Sequence, residues 1–404
     1  MIPYYVTFIL SCIFCYMGEK IVRSHEAENN IEYEEYQNKK RNWRVISFPT
    51  SGFLTVKSYN IFFFFAVLMV AILAGIRGYT VGTDVQVYGN DLFYYARTVS
   101  WSQFYHSLTK IEPLYLLLVY FSSRFSSEPH IQYFFIGLII YTFVMAGIVK
   151  NKRNISITFA WFAFLCLLYG DTYNAMRQCL AISVAFFAFD DAKNQRYFRY
   201  ILKMIIAFLF HNSAILAFAI FAIYFILQKN NKMWVKVFLI VATVGGISCF
   251  NEILTFFIGT GLLNEKMNRY LIGESTGLSI PAILIRLPFL ILIILQKKQF
   301  FSVEKRDAYV FPLKNEAEAD FYILCLIIEL ISVELSAFLP SLYRISLFFV
   351  PFRCIAYARL IITQKKYNIV LYGMVMIAYL LLIFIYQNQI KGNNEIYPYV
   401  FGIF

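Results

Sequence analysis

Arg77 and Asp84 flank a glycine turn, RGYTVGTDVQVY over residues 77–88, directly after the apolar run NIFFFFAVLMVAILAGI (60–76). Further along, GDTYNAMRQ (170–178) sets Arg177 beside Gln178, FHNSA (210–214) carries His211, and PSLYR (340–344) ends on Arg344. Arginine grips phosphate oxygens through a planar fork, and aspartate or histidine can take a proton from a hydroxyl. Three arginines, an aspartate and a histidine on one face would suit a diphosphate together with a hydroxyl. Glu112, at the start of a short apolar segment, is a further candidate base. Arg286, about two turns from the outer end of its helix and just before Pro288, could reach a cavity open to that face.

Each residue also has a structural use. Asp84 fits the N-cap of a short helix and Gly82 a tight turn. Arg77, Arg177 and Arg344 could each snorkel to lipid headgroups, and His211 could be a hydrogen-bonded packing residue. For Glu329 and Arg353, charges inside apolar runs, mutual pairing is the expectation, because an unpaired charge at mid-helix costs roughly 2.5–3.5 kcal/mol. Asp190-Asp191, beside Lys193, reads as solvated loop charge. No zinc spacing, Walker loop or Rossmann fingerprint is present, and GTGLL (259–263) lacks the lysine of a phosphate loop. No metal or cofactor is expected.

The elements that must position these residues are membrane helices. The chain has 404 residues, 60% hydrophobic, 19% aromatic and only 15% charged, with a mean hydropathy of +0.61. A soluble domain carries about 25% charged residues. Continuous apolar runs exclude a barrel and place the chain among all-α polytopic membrane proteins with about 11–13 membrane helices. Candidate segments are 2–18, 59–76, 113–125, 131–149, 155–170, 175–190, 200–210, 212–228, 234–250, 280–295, 321–339, 345–361 and 367–387. The N-terminal segment, without a basic n-region or a small-residue cleavage site, reads as a retained helix. The seven cysteines lie almost entirely in apolar runs and read as packing residues. The net charge of +12 is spread over connections, so positive-inside anchoring is expected and nucleic acid is not.

If 113–125 does not cross and 200–228 is a hairpin broken near His211, the inside connections (19–58, 150–154, 191–199, 229–233, 296–320, 362–366) hold 22 Lys and Arg. The outside ones (77–112, 171–174, 211, 251–279, 340–344 and the tail from 388) then hold 7. Letting 113–125 cross gives 11 inside against 18 outside, so the first arrangement is preferred. It makes residues 1–404 a single polytopic domain with cytoplasmic loops 19–58 and 296–320 and an outer loop 77–112. It also puts every polar motif above on the outer side.

RGYTVGTDVQVY, EPLYLLLVYF (112–121), NAMRQCLAISVAF (174–186), FHNSA, LYRISLFF (342–349) and the ending IYPYVFGIF occur in the order seen in the EpsG family, which the chain resembles over nearly its whole length. That family is one of Wzy-like polysaccharide polymerases. The resemblance implies a metal-independent glycosyltransferase of exopolysaccharide or capsule assembly in a bacterial cytoplasmic membrane, with a GT-C-like helical architecture. Such enzymes join oligosaccharide repeat units carried on undecaprenyl diphosphate at the outer face. Flippase and chain-length regulator proteins are the partners implied. Asp84 matches the family's GTD aspartate, Arg177 and Gln178 its RQ pair, His211 its FH motif and Arg344 its late arginine.

On this reading Arg177, with Arg77 or Arg344, holds the diphosphate, and Asp84 or His211 deprotonates the acceptor hydroxyl. Tyr79, Tyr88, Tyr94, Tyr95 and Trp101 stack on sugars or form an interfacial aromatic belt. The alternatives are a lipid-linked glycan flippase or transporter without chemistry, and a glycan ligase or acyltransferase. A transporter would spread polar residues through the bilayer depth and often show a repeat. Here the informative residues gather at one face.

Overall fold

Buried in hydrocarbon, a backbone must satisfy its own hydrogen bonds, and apolar runs without strand alternation do so as helices. The computed structural model describes residues 1–40, 59–248, 260, 279–302, 311–337, 341–365 and 368–402. Among them the long elements are α1 (Ile2–Lys40), α2 (Tyr59–Gly75), α6 (His130–Lys150), α7 (Ile157–Leu167), α9 (Met176–Lys193), α10 (Tyr197–Phe210), α11 (Leu216–Lys229) and α12 (Met233–Ser248). Short helices α3 (Asn90–Thr98), α4 (Trp101–Ser107), α5 (Pro113–Ser122) and α8 (Asp171–Asn174) lie between them. After α12 come α13 (Ile280–Leu284), α14 (Leu287–Leu295), α15 (Lys297–Phe301), α16 (Glu316–Leu335), α17 (Ser341–Ser346), α18 (Val350–Ile362) and α19 (Ile369–Ile385).

The bundle has two chemically different ends. At one, His130 Nδ1 at the start of α6 lies 2.9 Å from the Gly75 carbonyl at the end of α2. The Tyr4 hydroxyl there donates to the Ile396 carbonyl at 2.9 Å. At the other, Lys150 ends α6 3.7 Å from Asp190 near the end of α9, so α6 and α9 run parallel. This second end gathers most of the ion pairs. Arg196 reaches Asp190 and Asp191 at 2.7 Å each, Lys203 bonds Asp191, and Lys193 bonds Glu318. Lys236 and Lys297 both hold Asp320 at 2.7 Å. Asp190-Asp191 is thus an ion-pair hub, not solvated loop charge.

Segment 113–125 enters and leaves at the same end. Glu112, before α5, and His130, after it, both sit away from the ion-paired end. The return is tied down by Arg97, whose guanidinium donates to the Ser123 carbonyl at 3.2 Å, and by Arg124 bonding the Ala96 carbonyl. The 200–228 stretch breaks at His211: α10 ends at Phe210, a 3₁₀ turn spans Asn212–Ile215, and α11 returns.

Several expected boundaries move. The 19–58 loop begins as a continuation of α1 to Lys40; 41–58 lies outside the described residues. Loop 77–112 contains α3 and α4, and 296–320 contains α15 and the start of α16, with 303–310 outside the described residues. Four described helices are long and apolar enough to cross a bilayer by themselves: Ile2–His25, His130–Lys150, Asn212–Lys229 and Ile369–Ile390. Tyr59–Gly75, Ile157–Leu167, Met233–Gly246 and Ile280–Leu295 are shorter. The last is broken where Pro288 withholds an N–H, and the Arg286 guanidinium covers the Ala282 carbonyl at 3.2 Å beside that break. The chain is an all-α polytopic membrane protein.

Cysteines placed at exposed Thr83 and Gln195 test the arrangement. With the parent chain as blank, a membrane-impermeant maleimide should label Thr83→Cys and Gln195→Cys from opposite sides. Labelling of both from one side would mean that 113–125 crosses.

Candidate active site

Gly82 adopts φ +97°, a conformation that disfavours any side chain. Its N–H donates to the Glu395 carbonyl at 3.0 Å, and a Cβ there would stand 2.9 Å from the Tyr173 carbonyl oxygen. The next amide, Thr83 N–H, donates to Asn174 Oδ1 at 2.6 Å. This close approach carries Asp84 to the N-terminus of α9, where Ala175 offers no side-chain cap. Asp84 Oδ2 accepts the Met176 N–H at 3.2 Å, so an acid from another segment caps that helix. Burial raises the Asp84 pKa to about 6, against the opposing pull of the Met176 amide and of Arg177, Arg344 and Arg77.

Arg177 follows on α9. Its guanidinium lies 2.6 Å from Glu112 and 4.3 Å above the Tyr88 ring. The other Glu112 oxygen accepts the Asn212 N–H at 3.3 Å and stands 4.0 Å from His211 Nε2. His211 Nδ1 accepts the Ser213 N–H at 3.1 Å, which assigns the ring proton to Nε2. Burial lowers the His211 pKa to about 4; Glu112 opposes this while Arg177 and Arg344 add to it. The imidazole is therefore neutral at pH 7.

Gln178 Nε2 donates to the Arg344 carbonyl at 2.6 Å, and the Tyr343 hydroxyl donates to Asp171 at 2.7 Å. These two bonds fix α17 and leave the Arg344 side chain exposed at the site. Asp84, Glu112, Arg177, Gln178, His211, Arg344 and Tyr88 are thus brought together.

Two expected ligands are taken up by other partners. Arg77 is 2% exposed, with its guanidinium 4.1 Å from the Tyr173 ring centre and 4.4 Å from that of Tyr133. Enclosed between aromatic faces, it presents no fork to a phosphate. Arg286 is 7% exposed. It pairs with Glu329 at 3.1 Å, and Arg353 reaches the same oxygen at 2.9 Å, the Glu329–Arg353 pairing that the sequence led us to expect. A buried carboxylate retains its charge only with such partners.

Among the aromatics, one Tyr88 face is taken by Arg177. Tyr79 stacks on His130, and Tyr79 and Tyr94 both donate to Glu128, at 2.6 and 2.8 Å. Trp101 packs on Tyr120 and Tyr95 on Phe104. Tyr115, Asn174 and the Asp171–Tyr343 pair support the site without having been singled out. The signal for Asp171 and Asn174 was their place inside the polar GDTYNAMRQ stretch. Among the described residues no three His, Cys, Asp or Glu side chains group as metal ligands would.

A model of the EpsG family matches residues 60–401, a range that contains every one of these site residues. The chain belongs to the EpsG family. It is a Wzy-like polymerase family, which places the chain among membrane proteins of polysaccharide biosynthesis. No curated protein and no solved structure matches the chain.

Gly82→Ala tests the turn that delivers Asp84. It should cost about 1–3 kcal/mol through the left-handed backbone and the Tyr173 contact, read as a lowered Tm in detergent. An unchanged Tm would show that residue 82 does not adopt this conformation.

Proposed function

We propose that the chain polymerises lipid-linked oligosaccharide repeat units at the outer face of a bacterial cytoplasmic membrane. The growing glycan moves from undecaprenyl diphosphate to a hydroxyl of the next unit. A GT-C-like architecture belongs to the same reading. The observation that carries it is the first turn of α9. Its N-terminal amide binds a carboxylate with a pKa of about 6, and its next residue is a half-buried arginine held at 2.6 Å by Glu112.

Arg177 and Arg344 bind the diphosphate. Glu112 holds the place on Arg177 that a phosphate oxygen takes in the complex. The acceptor oxygen attacks the anomeric carbon, the bond from that carbon to the diphosphate oxygen breaks, and the electron pair leaves with the diphosphate. Asp84 receives the hydroxyl proton and later returns it to water. A base titrating near 6 is matched to neutral pH. His211 is not: its Nδ1 is occupied, its Nε2 carries the proton, and its pKa of about 4 makes it a weak base. It orients the Glu112 side of the pocket. Charge neutralisation at the leaving diphosphate carries most of the rate. The gathering of these groups at one end favours chemistry over a passage through the bilayer.

In proteoliposomes given one defined lipid-linked repeat unit, Arg177→Ala should abolish elongation with protein levels unchanged. Full-length polymer from that variant rejects the reading. Movement of the unit across the membrane without lengthening would make the protein a transporter.

Asp84→Asn should slow elongation by roughly 10²–10⁴-fold, and His211→Ala by less. The wild-type rate should rise with pH through about 6, as Asp84 loses its proton, and level off above. Persistence of that rising limb in the residual activity of Asp84→Asn would remove Asp84 as the base.

A further inference from the structure

At the ion-paired end, far from Arg177, a cavity of about 240 Å³ opens between α9, α11 and the start of α16. Lys193, Gln195, Tyr224, Gln228, Lys229 and Lys314 line it. Its charges do not cancel. Glu318 is the acid nearest, and both its oxygens are committed, one to the Lys193 ammonium and the other to the Lys314 backbone N–H at 3.0 Å. Glu316 pairs with Lys297 at 2.6 Å, and Asp190 and Asp191 are held by Lys150, Arg196 and Lys203. Lys229 and Lys314 are exposed at the rim, the Lys229 ammonium 5.2 Å from the centre of the Phe225 ring.

A second observation points to a ligand. Tyr224 is 4% exposed, and its hydroxyl has no hydrogen-bond partner. It lies close enough to Lys193 and Glu318 to feel both charges. Buried hydroxyls are almost always bonded, so this donor is held ready for an acceptor. The walls around it are rigid: Gln228 and Asn315 exchange two amide hydrogen bonds, of 3.2 and 2.6 Å, and Asn315 caps α16. Towards the lateral surface the lining turns apolar, with Tyr197 and Phe225 42% and 41% exposed.

We propose that this cavity binds a phosphate group, with Lys229 and Lys314 as its charge partners and the Tyr224 hydroxyl as a hydrogen-bond donor. Lysine serves phosphate as a compact point charge, and basic pockets between membrane helices on the cytoplasmic side suit anionic headgroups. The apolar lateral wall fits a lipid phosphate monoester whose chains lie over Phe225; free phosphate offers the same oxygens without the chains. The site is independent of the polymerase reading, since none of its residues belongs to the outer cluster.

The test uses the full chain in nanodiscs of phosphatidylcholine, with and without 20 mol% phosphatidic acid (our choice of probe, about one lipid in five). A parallel series in phosphatidylcholine alone is titrated with inorganic phosphate. Thermal melting is the readout. Phosphatidic acid should raise the Tm by several degrees, and Lys229→Gln/Lys314→Gln should lose most of that shift. Tyr224→Phe should weaken it, and Lys298→Gln, at the same end but outside the cavity, should keep it. An equal shift with inorganic phosphate alone, lost in the same double variant, also supports the site and makes free phosphate its source. No shift with either probe, or a full shift in the double variant, overturns the proposal.

Discussion

The Glu112 carboxylate is the contact on which the candidate site depends. One oxygen takes the Arg177 guanidinium, and the other takes the Asn212 amide beside His211. Three pieces of chain from remote parts of the sequence thereby meet: the re-entrant α5, the start of α9 and the turn between α10 and α11. Removing one member of this partly buried pair leaves the other charge uncompensated. The pair sits at the site because α5 does not cross. Had it crossed, its two ends would lie on opposite sides of the bundle, and everything after it would be inverted.

The two ends of the bundle use charge differently. At the ion-paired end most acids have basic partners, and Arg359 spends its donors on the carbonyls of Asn154, Phe300, Phe301 and Phe311 at 2.7–3.3 Å. That end ties helix termini together. At the end that holds Arg177, Gln178 Oε1 is buried without a partner and Asp84 is pushed towards neutrality. Unspent polar capacity beside the Arg177–Glu112 pair is what a site for a highly charged substrate requires. Between the ends, Arg286 and Arg353 share one Glu329 oxygen, and Arg286 covers the Ala282 carbonyl beside the break in the α13–α14 segment.

The membrane class, the all-helical architecture, the break at His211 and the re-entry of 113–125 were legible in the chain alone. Each follows from local composition: apolar length, lysine and arginine bias, and a polar pair interrupting an apolar run. The family was legible as well, because its short motifs keep their order. What tertiary structure decided is which arginines face the site. Arg77, Arg177, Arg286 and Arg344 carry the same group and all lie in or beside apolar segments, so spacing cannot separate them. Packing does. Tyr133 and Tyr173 enclose Arg77, Glu329 claims Arg286, and Glu112 and Gln178 bring Arg177 and the Arg344 backbone into one cluster. The protonation preferences of Asp84 and His211 also arise only there, because burial and distant charges, not neighbours in sequence, set them.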